Sequence, residues 1–149
     1  MHKSVLSMYI HAYQSLLFNE ILSEYIKGSC SSFTEISYSK GAFLFPKEKI
    51  ANAKLPVVGF GTELGSDKIS AIASQVMKTH SLTQRDFVIR QLPSLSVEGD
   101  ERDALIAVRD ISIGHPEEDE LNPGMNKCSI EFALGKGSYA TIVVKALTR

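Results

Sequence analysis

The sequence predicts an α+β fold, and three features carry that expectation. An apolar stripe at helical spacing opens the chain, a second amphipathic stretch sits near its middle, and the remaining apolar runs are short and bounded by Gly or Pro. The predicted architecture is a long amphipathic helix and a second helix packed on mixed or antiparallel strands, ending in a C-terminal β-hairpin. At 149 residues the chain suits one domain, or one domain plus part of another.

The first helix is expected over residues 4–27. Leu6, Ile10, Tyr13, Leu17 and Ile21 recur at three- and four-residue spacing, and Phe18, Leu22 and Tyr25 widen the stripe so that two sides pack. His11 lies beside this stripe and reads as a packed residue rather than a base. Lys27 followed by Gly28 marks the stop, a cation on the last turn and a residue free to turn left-handed. Residues 33–62 read as extended. Ser39-Lys40-Gly41 separates Ile36 and Tyr38 from Ala42–Phe45 as a hairpin would, and Leu55–Gly61 follows as an irregular apolar connector. A second helix fits residues 67–79, with Ser66 as N-cap and Ile69, Ile72, Ala73, Val76 and Met77 on one face. Ser81–Gln84 matches a capping box for a short helical turn.

Further on, Ala104–Val108 resembles a buried strand, and Gly114–Asn126, with its acidic run Glu117–Glu120, a surface excursion. The last segment alternates at Cys128, Ile130, Phe132 and Leu134, turns at Gly135-Lys136-Gly137, and is expected to return as a strand from Tyr139 to Leu147.

Composition sets limits on function. With 44% hydrophobic and 22% charged residues, wholesale disorder is excluded. No run reaches the roughly 18 apolar residues of a membrane span. Sixteen basic against seventeen acidic residues give a net charge of −1, without the basic field of a free-standing nucleic-acid binder. The balance shifts only at the end, where Lys127, Lys136, Lys145 and Arg149 face Glu131 alone. Cys30 and Cys128 are far apart with no CxxC, and the N-terminus lacks the apolar core of a signal peptide, so a cytoplasmic location is expected, or a nuclear one in a eukaryote.

Several motifs fail on their own terms. Gly59–Gly65 has the glycine spacing of a dinucleotide loop, yet Pro56 interrupts the strand before it and only Val88-Ile89 remains for the strand after. Gly135-Lys136-Gly137-Ser138 lacks the upstream glycine of a phosphate loop. The four histidines pair neither with each other nor with a cysteine at metal-ligand spacing, so no metal is expected.

Four separated stretches nevertheless resemble, in order and spacing, the C-terminal part of the TruD family of RNA pseudouridine synthases. They are His11-Ala12-Tyr13-Gln14-Ser15-Leu16-Leu17-Phe18-Asn19, Leu55-Pro56-Val57-Val58-Gly59-Phe60-Gly61-Thr62, Gly99-Asp100-Glu101-Arg102, and Leu134-Gly135-Lys136-Gly137-Ser138-Tyr139-Ala140-Thr141. Gly135 stands where that family usually has Pro, and Lys145-Ala146 where it usually has Arg-Glu; Lys145 keeps the charge without the planar fork.

The resemblance implies isomerisation of a uridine in tRNA or another structured RNA, by breaking the N-glycosidic bond and rejoining the base through C5, with no cofactor. It implies an inserted domain over residues 1–108 and strands returning to the catalytic sheet over 109–149. The family's catalytic Asp lies in a G-x-K-D-x-x-A motif that this sequence lacks. Gly65-Ser66-Asp67-Lys68 inverts the order and reads as a helix cap, so no catalytic residue is assigned and the chain by itself is expected to be inactive. Tyr139 is the candidate to line a uridine pocket, with Ser138 on the same turn and Lys136 within reach of a phosphate; a half-buried strand tyrosine and a solvated turn lysine are the alternatives. Arg102 either holds RNA backbone or caps a carboxylate. Two functional readings follow: the C-terminal piece of a synthase, partnered by a missing N-terminal catalytic segment, or a non-catalytic module that binds RNA or protein.

Overall fold

Helix α1 spans Lys3–Lys27 in the computed structural model, which describes residues 2–148; Met1 and the terminal Arg149 lie outside the described residues. The chain divides into two compact units, Met1–Ala104 and Leu105–Arg149.

In the first unit the predicted stripe of α1 is buried only in its C-terminal half, at Leu17, Phe18, Ile21, Tyr25 and Ile26, whereas Tyr13 is 38% exposed. His11 is exposed rather than packed. The helix ends at Gly28 with φ of −85°, so the stop is right-handed, secured by the Gly28 amide on the Glu24 carbonyl and by Lys68 Nζ on the Gly28 carbonyl. Strands β1 (Phe33–Tyr38) and β2 (Gly41–Pro46) form the expected antiparallel hairpin, with Tyr38 opposite Gly41.

The expected irregular connector is in part a strand. β3 (Lys54–Val57) pairs antiparallel with β4 (Asp100–Asp103), placing Leu55 opposite Arg102. The period was hidden because Leu55, Val57 and Val58 are all buried, as in a strand covered on both faces. Helix α2 spans Lys68–Thr79, capped by Asp67 and not Ser66: Asp67 Oδ1 accepts from the amides of Ile69 (2.9 Å) and Ser70 (3.1 Å). The capping box falls two residues later than read, as Thr83 and Asp86 around a 3-10 turn at Gln84–Phe87, because Ser81 takes a left-handed φ of 55°. α1 packs against α2, β2 and β3, and Leu17, Ile21, Leu55 and Val58 form the dry centre.

The second unit carries little core: Val143 is its one buried side chain among the described residues. β5 (Arg109–Ile113) pairs antiparallel with β8 (Ile130–Ala133) across a bulge at Asp110, whose φ is 54°. The acidic excursion is closed by short strands β6 (Glu117–Glu118) and β7 (Asn126–Lys127), with Lys127 paired to Glu120. Ala104–Val108 forms no strand; it is an irregular connector with Ile106 exposed.

The largest correction concerns the end of the chain. Helix α3 occupies Ala140–Leu147 where a returning strand was expected. Ile142, Val143 and Val144 favour strands through their β-branching. A strand, however, needs a neighbour for its amides, whereas a helix satisfies them internally. The half-buried and buried positions Ile142, Val143 and Ala146 follow the helical repeat. All pairings among the described residues are antiparallel and two-stranded, so the α+β class holds and no dinucleotide-type parallel sheet forms.

Candidate functional site

Three of the four separated stretches meet in the first unit. Gln14 is 3% exposed, and its Nε2 donates to the Val58 carbonyl at 2.8 Å, tying α1 to the end of β3. Its Oε1 lies 3.1 Å from His11 Nδ1. Past Val58 the chain turns with its backbone held at each step. The Gly59 amide donates to Thr62 Oγ1 (2.8 Å), the Phe60 amide to the Val97 carbonyl (2.9 Å), and the Gly61 amide to the Glu98 carbonyl (2.8 Å). Gln84 donates from its side chain to the Thr62 carbonyl.

Glycine is required here by contact. A Cβ on Gly59 would lie 2.3 Å from the Gly99 nitrogen, and one on Gly99 would lie 2.6 Å from Thr62 Oγ1. The loop therefore has no free cluster of amides for a pyrophosphate; its glycines serve backbone-on-backbone packing.

Arg102, on β4, sets its guanidinium 5.8 Å from the Phe18 ring centroid. That cation–π contact is a packing role, distinct from the two read in the sequence. On the far side of α1, Glu20 and Tyr13 hold His80 at the C-cap of α2. Tyr13 Oη lies 3.1 Å from His80 Nδ1, and Glu20 Oε2 lies 2.8 Å from His80 Nε2. A cleft of about 640 Å³ opens between α1, the β1–β2 hairpin and α2. Glu20, Glu24 and Glu35 balance Lys27, Lys40 and Lys68 around it, so it gathers no anion-attracting field.

Asp67 is the nearest match to a catalytic-Asp motif, and its carboxyl lies below its ordinary value because the Ser70 hydroxyl and amide donate to it. Ser70 Oγ donates to its Oδ2 at 2.5 Å. The carboxylate is thus committed to starting α2. Glu48, Asp86, Asp119 and Glu120 are lowered in the same way, chiefly by Ser31, Thr83, Asn122 and Lys127 respectively. Asp86 and Asp119 anchor local turns, Glu48 ties the far end of the β1–β2 hairpin back to Ser31 and Ser32, and Glu120 pairs with Lys127.

The remaining candidates lie in the second unit. Gly135–Ser138 is a tight turn closed by the Ser138 amide on the Gly135 carbonyl (3.2 Å), with Gly137 at φ of 85°. Lys136 is exposed on it and Ser138 half-buried. Tyr139 follows at the N-cap of α3 with 59% of its surface exposed. Lys136, Ser138 and Tyr139 thus share one turn, while Arg102 belongs to the other unit. No group of three metal-ligating side chains occurs among the described residues. Sequence reading passed over Gln14 and Phe60 as individuals; the available signal for Gln14 was an amide inside an apolar helical stripe.

The profile of the family described as tRNA pseudouridine synthase D (TruD) matches residues 29–147. A Methanosarcina acetivorans protein named as a probable tRNA pseudouridine synthase D is 30% identical over 96% of this chain and 37% of its own length. The tRNA pseudouridine synthase D of Leptospira interrogans is 29% identical over 95% of this chain and 37% of its own. A crystal structure of a Methanosarcina mazei protein assigned as tRNA pseudouridine synthase D superposes with a TM-score of 0.66 and 27% identity, covering 97% of this chain and 38% of that one. The chain belongs to the TruD family. It spans a little over a third of the length of the relatives it matches.

Proposed function

We propose that this chain serves as the C-terminal part of a pseudouridine synthase acting on tRNA. It spans residues equivalent to an inserted domain (1–108) and to a segment returning to a catalytic sheet (109–149), in which strands β5 to β8 are followed by helix α3. The reading is carried by Tyr139, an aromatic side chain held largely exposed beside a glycine turn, where it can meet an extruded base. Ser138 shares that turn, and Lys136 can approach a phosphate. Arg102 stiffens the inserted domain through Phe18.

In this reading the catalytic Asp is supplied by polypeptide outside these residues. Asp67, the one sequence look-alike, is consumed by its capping bonds. The two free cysteines fit a cytoplasmic setting. The direct test replaces the matching stretch of the Methanosarcina mazei relative with residues 2–148 of this chain and measures pseudouridine in tRNA. The proposal expects a working chimera that loses turnover on Tyr139→Ala. A folded chimera that binds tRNA and makes no pseudouridine would favour a binding module instead.

A further inference from the structure

We propose that Phe60 is a stacking platform for an unpaired base of the RNA. The inference rests on the RNA reading above and adds a contact outside the Tyr139 turn. Phe60 is 43% exposed, although it sits between two glycines on a loop fixed by hydrogen bonds on both sides. Solvated loops ordinarily carry polar residues and move; this one presents a large aromatic ring and is held rigidly. Its own amide is bound to the Val97 carbonyl, and Gln14 and Gln84 fix the carbonyls of Val58 and Thr62 on either side. A ring positioned in advance keeps the whole stacking gain, because little freedom is lost on binding. Neither Gly59 nor Gly61 has a side chain to compete for its faces.

The surroundings select a base over the phosphate backbone. The Glu98 side chain packs against Gly61, where an added Cβ would meet its Cγ at 2.9 Å, so an exposed carboxylate stands next to the loop. A carboxylate repels phosphate but accepts hydrogen bonds from ring or exocyclic N–H groups. An aromatic face with polar acceptors beside it is how proteins read unpaired bases.

The test is binding of fluorescently labelled tRNA to the full chain at low salt, for the wild type and for Phe60→Ala, Phe60→Leu and Phe60→Trp, with melting curves for each. Removal of the ring in the Ala and Leu variants is expected to weaken binding on the order of tenfold or more, while Trp retains it. The slope of affinity against salt should stay constant, because no phosphate contact is lost. Wild-type affinity in the Leu variant would overturn the proposal and leave Phe60 a packing residue. A loss accompanied by a shallower salt slope would overturn it as well. A wild-type chain that binds no tRNA even with the remaining segment of a TruD relative added would sink both this inference and the RNA reading, whereas binding indifferent to Phe60 would sink this inference alone.

Discussion

Gln14 and Val58 are joined by a buried hydrogen bond of 2.8 Å that connects the middle of the first helix to the end of β3. The same amide meets His11, so one side chain holds a helix, a strand end and an exposed imidazole in register. Replacing Gln14 by Leu leaves the Val58 carbonyl buried without a partner. The expected loss is about 1–3 kcal/mol, read from denaturant unfolding. An unchanged unfolding midpoint would show that water or another donor replaces the amide.

The close approach of Gly59 and Gly99 makes a sharper prediction. Gly59→Ala places a methyl group 2.3 Å from backbone, where no flexible side chain can yield. Overpacking of this kind costs about 1–3 kcal/mol or more. Gly124→Ala is the control: its φ is +81° but nothing lies within 4 Å, so only the backbone term of roughly 1 kcal/mol remains. Equal melting temperatures for the two variants would contradict the packing account.

Much of this was legible in the chain. The apolar spacing of α1, the hairpin at Ser39-Lys40 and the amphipathic face of α2 each show one period, and each formed. The end of the chain was misread because Ile142, Val143 and Val144 have strand-favouring side chains, while the positions that turn inward, Ile142, Val143 and Ala146, fit a helical repeat as well. The knot around Gln14 and Gly59 could not be read from spacing, since it joins residues far apart in sequence through single polar and backbone contacts. The family resemblance pointed to those stretches without saying that they touch.

Acid should unfold the chain through its caps. Asp67 and Asp86 are held below their ordinary values by hydrogen bonds from Ser70 and Thr83 that favour the ionised form. A carboxyl lowered on folding binds fewer protons in the folded state. Its stabilisation is full above the unfolded value and is lost as pH falls through the folded one. Melting temperature should therefore hold level near neutrality and decline below about pH 5. Asp67→Asn keeps a capping acceptor at neutral pH yet removes one titrating group, so its profile should be shallower in acid. A variant profile parallel to the wild type would refute this assignment.

Tyr139 and Lys136 should differ in kind once a catalytic segment is supplied. Losing the ring in Tyr139→Ala is expected to lower kcat tenfold or more if, as proposed, the ring meets the reacting base. Lys136→Ala should chiefly raise KM and lessen the salt dependence, as expected for a phosphate contact. Interchanged effects would reverse the two assignments.

The central claim is that these residues fold as part of a pseudouridine synthase whose catalytic carboxylate lies outside them. It is tested most directly by tritium release from tRNA labelled at uridine C5. The chain by itself at high concentration should release none, and release should appear when the remaining segment of a TruD relative is added. Release by the chain alone would contradict the claim and place the chemistry on one of its own carboxylates.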